Sequence, residues 1–307
     1  MGTAFISHPD CARHKMGAGH PECPERLSAI SNQLISSRLD TLLHHYQAPP
    51  ASRTQLCRVH DEEYVAQIFQ LAPKDDELVW IDSDTAMNSH TLKAALYAAG
   101  AAVYAVDLVM DGAVSSAFCS VRPPGHHAEH DRAMGFCFFN NVAVGAAHAL
   151  EVWGLERVAI VDFDVHHGNG SEDVFRDEPR VLLCSTFQHP FYPYSCAGDS
   201  NDQIINVAMP AGTTGDEFRS AVQSHWLQPL VDFEPQLILI SAGFDAHKDD
   251  DMADFYLMEQ DYAWVTERIK MLADAHANGR IVSVLEGGYA LPALGRSVAA
   301  HIRALLD

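Results

Sequence analysis

Val158-Ala159-Ile160-Val161-Asp162-Phe163-Asp164-Val165-His166-His167-Gly168-Asn169-Gly170 opens as an apolar, β-branched run and ends in acids, histidines and glycines. The opening run reads as a buried strand. Strand side chains repeat with period two, so Asp162, Asp164 and His166 would face one side at its C-terminal end. Two carboxylates and an imidazole are costly to bury unless something compensates them. A bound cation is the simplest compensation. The plain alternative is a strand end with solvated acids, followed by a Gly-Asn-Gly turn.

The chain on either side repeats the same theme. Thr3 to Ser7 reads as a first strand, and an irregular segment with Gly17, Gly19, Pro21 and Pro24 follows. A helix runs through Ser37, with Leu27, Ile30 and Leu34 at helical spacing. Arg26 sits in its first turn, where a cation opposes the helix dipole. Either another group holds it there or it is a surface arginine. Glu62 to Leu71 reads as a short helix, and Trp80 to Thr85 as a polar loop. Thr91 to Met110 is an Ala-rich helix closed by Asp111-Gly112. Strands are expected at Ala117–Ser120, Val181–Thr186, Ile204–Val207, Leu237–Ala242 and Ile281–Leu285. Helices are expected at Asn141–Trp153, Asp216–Val231, Asp261–Ala277 and Leu294–Leu306. An aromatic, proline-containing loop covers Phe187 to Gly198. Alternating strands and helices imply the α/β class, with a central, mostly parallel sheet flanked by helices. No linker or internal repeat divides the 307 residues, so we expect one domain over 1–307.

Composition excludes several functions. The net charge of −21 opposes the phosphate contacts of a nucleic-acid binder. It suits cationic ligands, or simply solubility. No apolar run is expected to span a membrane, and the first residues lack a signal pattern, so cytoplasmic residence is the expectation. Cys11, Cys23, Cys57, Cys119, Cys137, Cys184 and Cys196 are an odd set without Cys-x-x-Cys spacing. Reduced thiols are expected, and a cysteine-built zinc site is not.

Ligands of open parallel sheets bind beyond the carboxyl ends of the strands. The unusual polar residues lie at four such ends. His126 and His127 follow one strand, Asp162, Asp164 and His166 close another, Asp245 follows a third, and Tyr289 a fourth. Asp164, His166 and Asp245 would offer a metal two oxygens and a nitrogen. Three protein ligands with open positions is the pattern of a catalytic zinc. One of His126 and His127 could act as base toward water, the other in electrostatic support, with Asp162 orienting an imidazole. Tyr289 could donate its hydroxyl to a developing oxyanion. Each feature alone reads as a turn histidine or a rim tyrosine; their joint occurrence makes a site.

Arg122-Pro-Pro-Gly-His-His-Ala128, Gly135-Phe-Cys-Phe-Phe-Asn-Asn141, the Asp162–Gly170 stretch, Ser241-Ala-Gly-Phe-Asp245 and Glu286-Gly-Gly-Tyr289 resemble the zinc-dependent histone deacetylase family. That family includes bacterial histone deacetylase-like and acetylpolyamine amidohydrolases and acetoin-utilisation proteins. The resemblance runs from His20 to Tyr289. It implies an arginase/deacetylase fold and a catalytic Zn2+ on Asp164, His166 and Asp245. It implies His127 as the general base beside His126, and Tyr289 polarising the scissile carbonyl. Gly135, Phe136 and Tyr192 would wall an acyl-lysine tunnel, and Asp84 would grip the substrate backbone at its rim. Arg26 would belong to an inner channel beneath the metal. A structural K+ would use Asp162, the main chain of Asp164 and His166, and Ser185 and Thr186. A second monovalent site would use the main chain near Phe175 and Val181. Asn169 and Glu286 stand where class II enzymes carry them. Met252 stands near the place of an acidic gatekeeper in polyamine-selective members, with Asp249, Asp250 and Asp251 beside it as substitutes.

The expected activity is removal of acetyl from acetyl-lysine side chains of proteins or peptides, with acetylated polyamines as the alternative substrate. A ureohydrolase on the same fold would need two metals and more ligands than these strand ends supply. A non-catalytic metal-binding protein would have no use for His126, His127 and Tyr289. The sequence leaves a homo-oligomer open.

Overall fold

The computed structural model describes residues 2–75, 77–195 and 200–306. Cys196 and the end of the aromatic loop therefore lie outside the described residues. In chain order the elements are β1 (Thr3–Ser7), α1 (Glu25–Ser36), β2 (Leu43–Gln47), α2 (Arg53–Leu56), α3 (Glu62–Leu71), β3 (Val79–Trp80), β4 (Ala86–Met87), α4 (Thr91–Met110), β5 (Ser116–Cys119) and α5 (Asn141–Trp153). There follow β6 (Val158–Asp162), α6 (Asn169–Phe175), β7 (Val181–Gln188), β8 (Ile204–Met209), α7 (Gly215–His225), α8 (Leu227–Phe233), β9 (Leu237–Ala242), α9 (Glu259–His276), β10 (Ile281–Leu285) and α10 (Leu291–Leu306).

Eight strands form one sheet in the order β2-β1-β5-β10-β9-β6-β7-β8, and every pairing is parallel. Helices cover both faces, as a parallel sheet requires. Val158 and Ile160 join the core under α4 and α5, whereas Ala159 and Val161 join the core under α9 and α10. The period-two alternation of β6 thus feeds two separate apolar layers. The chain crosses the sheet between β5 and β6, and β9 and β10 later fill the space between them. The four strands β5, β10, β9 and β6 consequently lie side by side, and their carboxyl ends converge.

Several elements depart from the sequence reading. β6 stops at Asp162, so Asp164 and His166 are not strand residues. They still gather on one side, for a different reason. Asp162 Oδ1 accepts the N–H of Asp164 at 3.0 Å, and Asp164 Oδ1 accepts the N–H of His166 at 2.9 Å. Two successive side-chain turns replace the pleat as the device that aligns them. Gly168-Asn169-Gly170 is the start of α6 rather than a turn. The helix expected over Asp216–Val231 is two helices, α7 and α8, broken at buried Trp226. Pro229 cannot donate an N–H back to His225, which removes one of the bonds that would run across the junction. The loop Trp80–Thr85 is the tip of the β3–β4 hairpin.

By length and composition α4 is apolar enough to cross a bilayer, which corrects the expectation that no apolar run reaches that length. Its alanines are instead buried in the core beneath the sheet. Six cysteines are free thiols among the described residues.

Candidate active site

The loops after β5, β6, β9 and β10 meet at one buried point. Asp164, His166 and Asp245 place their ligand atoms within 4.8 Å of one another, all buried. His166 Nδ1 lies 3.1 Å from Asp164 Oδ1 and 3.2 Å from Asp245 Oδ2. The other oxygens are held by main chain. Asp164 Oδ2 accepts from Gly287 N at 2.8 Å, and Asp245 Oδ1 from Val165 N at 3.1 Å. Asp245 Oδ2 has no hydrogen-bond donor. Burial and the facing Asp164 raise the Asp245 carboxyl to about 6. Burial also opposes charge on His166, but Asp164 and Asp245 outweigh it and raise its pKa to about 10. Two buried carboxylates in contact with one imidazole, one oxygen of them lacking a donor, are what a divalent cation would relieve. The donor set therefore fits zinc.

His126 and His127 lie side by side, ring centroids 4.1 Å apart, but in opposite electrostatic settings. His126 Nδ1 is 3.0 Å from Asp162 Oδ2, and its Nε2 is 3.8 Å from Asp164 Oδ2. Burial lowers its pKa, but Asp164 and Asp162 outweigh this and raise it to about 10, so the two carboxylates favour the charged ring. His127 Nδ1 meets the neutral amide oxygen of Asn169 at 2.8 Å. Burial and the neighbouring histidine charges hold its pKa well below the ordinary value, so it stays neutral. Its Nδ1 donates to Asn169, which leaves Nε2 as the acceptor. The histidine loop hangs on Glu286, whose Oε2 accepts from Gly125 N at 2.6 Å and His126 N at 3.1 Å.

A cavity of about 200 Å³ descends to this point. Gly135, Phe136, Tyr192 and Asp84 line it, together with His127, His166 and Tyr289. Phe191, which the sequence reading missed, is a further wall and stacks on His166 at 5.5 Å. Gly135 sits at φ +56, and a Cβ there would come 2.4 Å from His127 Cδ2, so only glycine lets the wall approach the histidine. Asp84 is placed by the hairpin tip, where Asp82 Oδ1 accepts the N–H groups of Asp84 at 3.0 Å and Thr85 at 2.7 Å.

Tyr289 packs edge-on against Phe136, ring centroids 6.0 Å apart. Burial, against the pull of Arg26, pushes its hydroxyl pKa well up, so it keeps its proton. Arg26 is fully buried beneath it, 4.9 Å from the ring centroid. Its guanidinium donates to Glu22 Oε1 at 3.1 Å, to Gly288 O at 2.7 Å and to Glu286 O. Those acceptors, rather than the helix dipole, account for a cation in the first turn of α1. Asp250 Oδ2 accepts from Tyr289 N at 2.6 Å and Ala290 N at 2.9 Å. That engagement removes buried Asp250 as a substitute gatekeeper, and Asp249 is paired with Arg296. Asp251 is exposed, and of this segment only Met252 lines the cavity.

Ser185 and Thr186 are buried on β7, where Ser185 pairs in register with Asp162. Ser185 Oγ has no hydrogen-bond partner, an orphaned oxygen that suits a monovalent cation.

Comparison with known proteins agrees with this geometry. Residues 20–305 match the histone deacetylase domain. The chain is 37% identical to the histone deacetylase-like amidohydrolase of Pseudomonas aeruginosa, covering 89% of this chain and 73% of the relative. It is 38% identical to the polyamine deacetylase HDAC10 of Mus musculus, covering all of this chain but 48% of that protein. Among solved structures, the HDA15 HD domain superposes with a TM-score of 0.93 at 33% identity, covering 99% of this chain and 88% of that one. The chain belongs to the histone deacetylase family and is a hydrolytic deacetylase of that kind.

Proposed function

We propose that the chain is a zinc-dependent amidohydrolase that removes acetyl from N-acetylated amines, first of all acetyl-lysine side chains of peptides or proteins. One observation carries the reading: His166, which clusters with Asp164 and Asp245 as a candidate metal site, lines an aromatic-walled cavity together with His127 and Tyr289. Zinc on those three side chains would acidify water and polarise an amide carbonyl. His127 Nε2 takes the proton from the attacking water, because Asn169 fixes the proton on Nδ1. Tyr289 donates its hydroxyl to the carbonyl oxygen as negative charge grows there. His126, charged and held by Asp162, supplies positive potential beside it. The proton on His127 then passes to the leaving amine. The aromatic walls hold the aliphatic stem of the substrate and exclude water, and Asp84 accepts from its main-chain amide at the rim. Ser185, Thr186 and Asp162 would hold a structural potassium.

A second reading is an acetylated polyamine substrate. The acid at the rim and the similarity to a polyamine deacetylase favour it. Met252 at the mouth, with Asp249 and Asp250 otherwise engaged, counts against it. Side-by-side turnover of an acetyl-lysine peptide and acetylputrescine decides between them. Chelation should abolish turnover, and zinc at one equivalent should restore it. Restoration that needs two metals per chain would instead support a ureohydrolase-like centre, and no turnover of any acetylated amine would end both readings.

A further inference from the structure

The amide that steadies His127 is itself steered by a carboxylate. Asn169 Nδ2 donates to Glu129 Oε1 at 2.7 Å. The other groups around that nitrogen are also acceptors: His127 O at 3.4 Å and Met134 Sδ at 3.3 Å. An asparagine amide can present oxygen or nitrogen to a partner, and its surroundings choose. Here every group on the outer side wants an N–H, so the oxygen must turn inward, to His127 Nδ1 at 2.8 Å. The charged acceptor at the shortest distance dominates that choice. Glu129 is itself held: its Oε2 accepts from Arg132 at 2.8 Å, and its carbonyl oxygen accepts from His60 Nδ1 at 2.9 Å.

We propose that Glu129 is a positioning residue for catalysis, acting through Asn169 to lock His127 in the tautomer that carries its proton on Nδ1. The inference rests on His127 being the general base. If the amide turns over, its NH2 faces Nδ1, which must then accept. The proton moves to Nε2, and the nitrogen that faces the cavity can no longer take a proton from water. The carboxylate sets orientation through a neutral amide, so His127 is aligned without a full negative charge against it. His126 has the opposite arrangement, with Asp162 directly on its ring.

The test uses the zinc-loaded full chain with a fluorogenic acetyl-lysine peptide. Glu129→Ala should lower kcat about 10- to 100-fold at unchanged KM and zinc content, the range typical of groups that orient a catalytic ligand. Glu129→Gln keeps an acceptor oxygen and should recover turnover to within about threefold. In an Asn169→Ala background Glu129→Ala should add less than about twofold, because the two act as one unit. Nitrogen-15 spectra of His127 should lose the Nδ1–H tautomer in Glu129→Ala and keep it in Glu129→Gln. Wild-type kcat in Glu129→Ala, or an undiminished effect in the Asn169→Ala background, overturns the proposal. If His127→Phe abolishes turnover while Glu129→Ala is silent, only the relay fails. A His127→Phe protein with full turnover removes the general-base reading and the relay with it.

Discussion

At the scale of single residues, Tyr289 carries the sharpest expectation. Its ring is fixed by Phe136 and Arg26 while its hydroxyl keeps its proton in the buried setting. Tyr289→Phe preserves the ring and removes only the donor. Loss of one oxyanion donor costs about 3 kcal/mol, or roughly two decades in kcat, and should leave KM nearly unchanged. A Phe variant with undiminished kcat would exclude the hydroxyl from catalysis. Tyr289, His126, His127, Asp164, His166 and Asp245 were all legible, because a reactive side chain after a strand is an uncommon pattern. Asn169 was legible only as a class marker, and Glu129 not at all. An acid in a loop announces nothing until the fold shows which amide it faces, 40 residues away in the chain.

At the scale of elements, the connection from β10 to α10 shows how main chain shapes the metal ligands. Gly287 donates its N–H to Asp164 Oδ2, and a Cβ on it would come 1.9 Å from Asp245 Oδ2 and 2.7 Å from Asp164 Oδ2. Neither carboxylate can retreat, since each has its other oxygen held by main-chain N–H groups of the β6 loop. Gly287→Ala should therefore weaken zinc binding about 10- to 100-fold while the fold persists. Competition with a metallochromic chelator measures this, and wild-type affinity would contradict it. Elements with strong periodicity or a clean apolar run, such as α4 and β9, match their expected bounds to the residue. β2 was missed because at the sheet edge only Leu43 is buried, so it shows no apolar run. α6 was missed because its first residues are Asn and Gly, which read as a turn. The alignment of Asp162, Asp164 and His166 was expected from pleating and arises from side-chain turns, a distinction that sequence periodicity cannot make.

At the scale of the whole molecule, the sequence showed four strand ends but not that their strands are neighbours. That adjacency comes from β9 and β10 entering between β6 and β5 late in the chain, and long-range order of this kind leaves no local trace. The same late insertion buries His301 of α10 under the sheet. Its Nε2 meets Ser283 Oγ of β10 at 2.8 Å and its Nδ1 meets Thr266 Oγ1 of α9 at 2.6 Å. Burial lowers its pKa from 6.5 to about 3. In the unfolded chain it protonates near 6.5, so between these values the unfolded state binds a proton that the folded state does not. Stability linked to His301 is thus complete above pH 6.5 and is lost as pH falls toward 3. One such proton corresponds to about 1.4 kcal/mol per pH unit. Other titrating groups contribute to the wild-type curve, so the comparison is with His301→Gln, which keeps a polar side chain of similar length. Unfolding free energies from urea titrations between pH 6.5 and pH 4.5 should fall more steeply in the wild type than in the variant by about that slope. Parallel curves would mean that His301 takes up a proton in the folded state, and that the layer between β10, α9 and α10 admits charge.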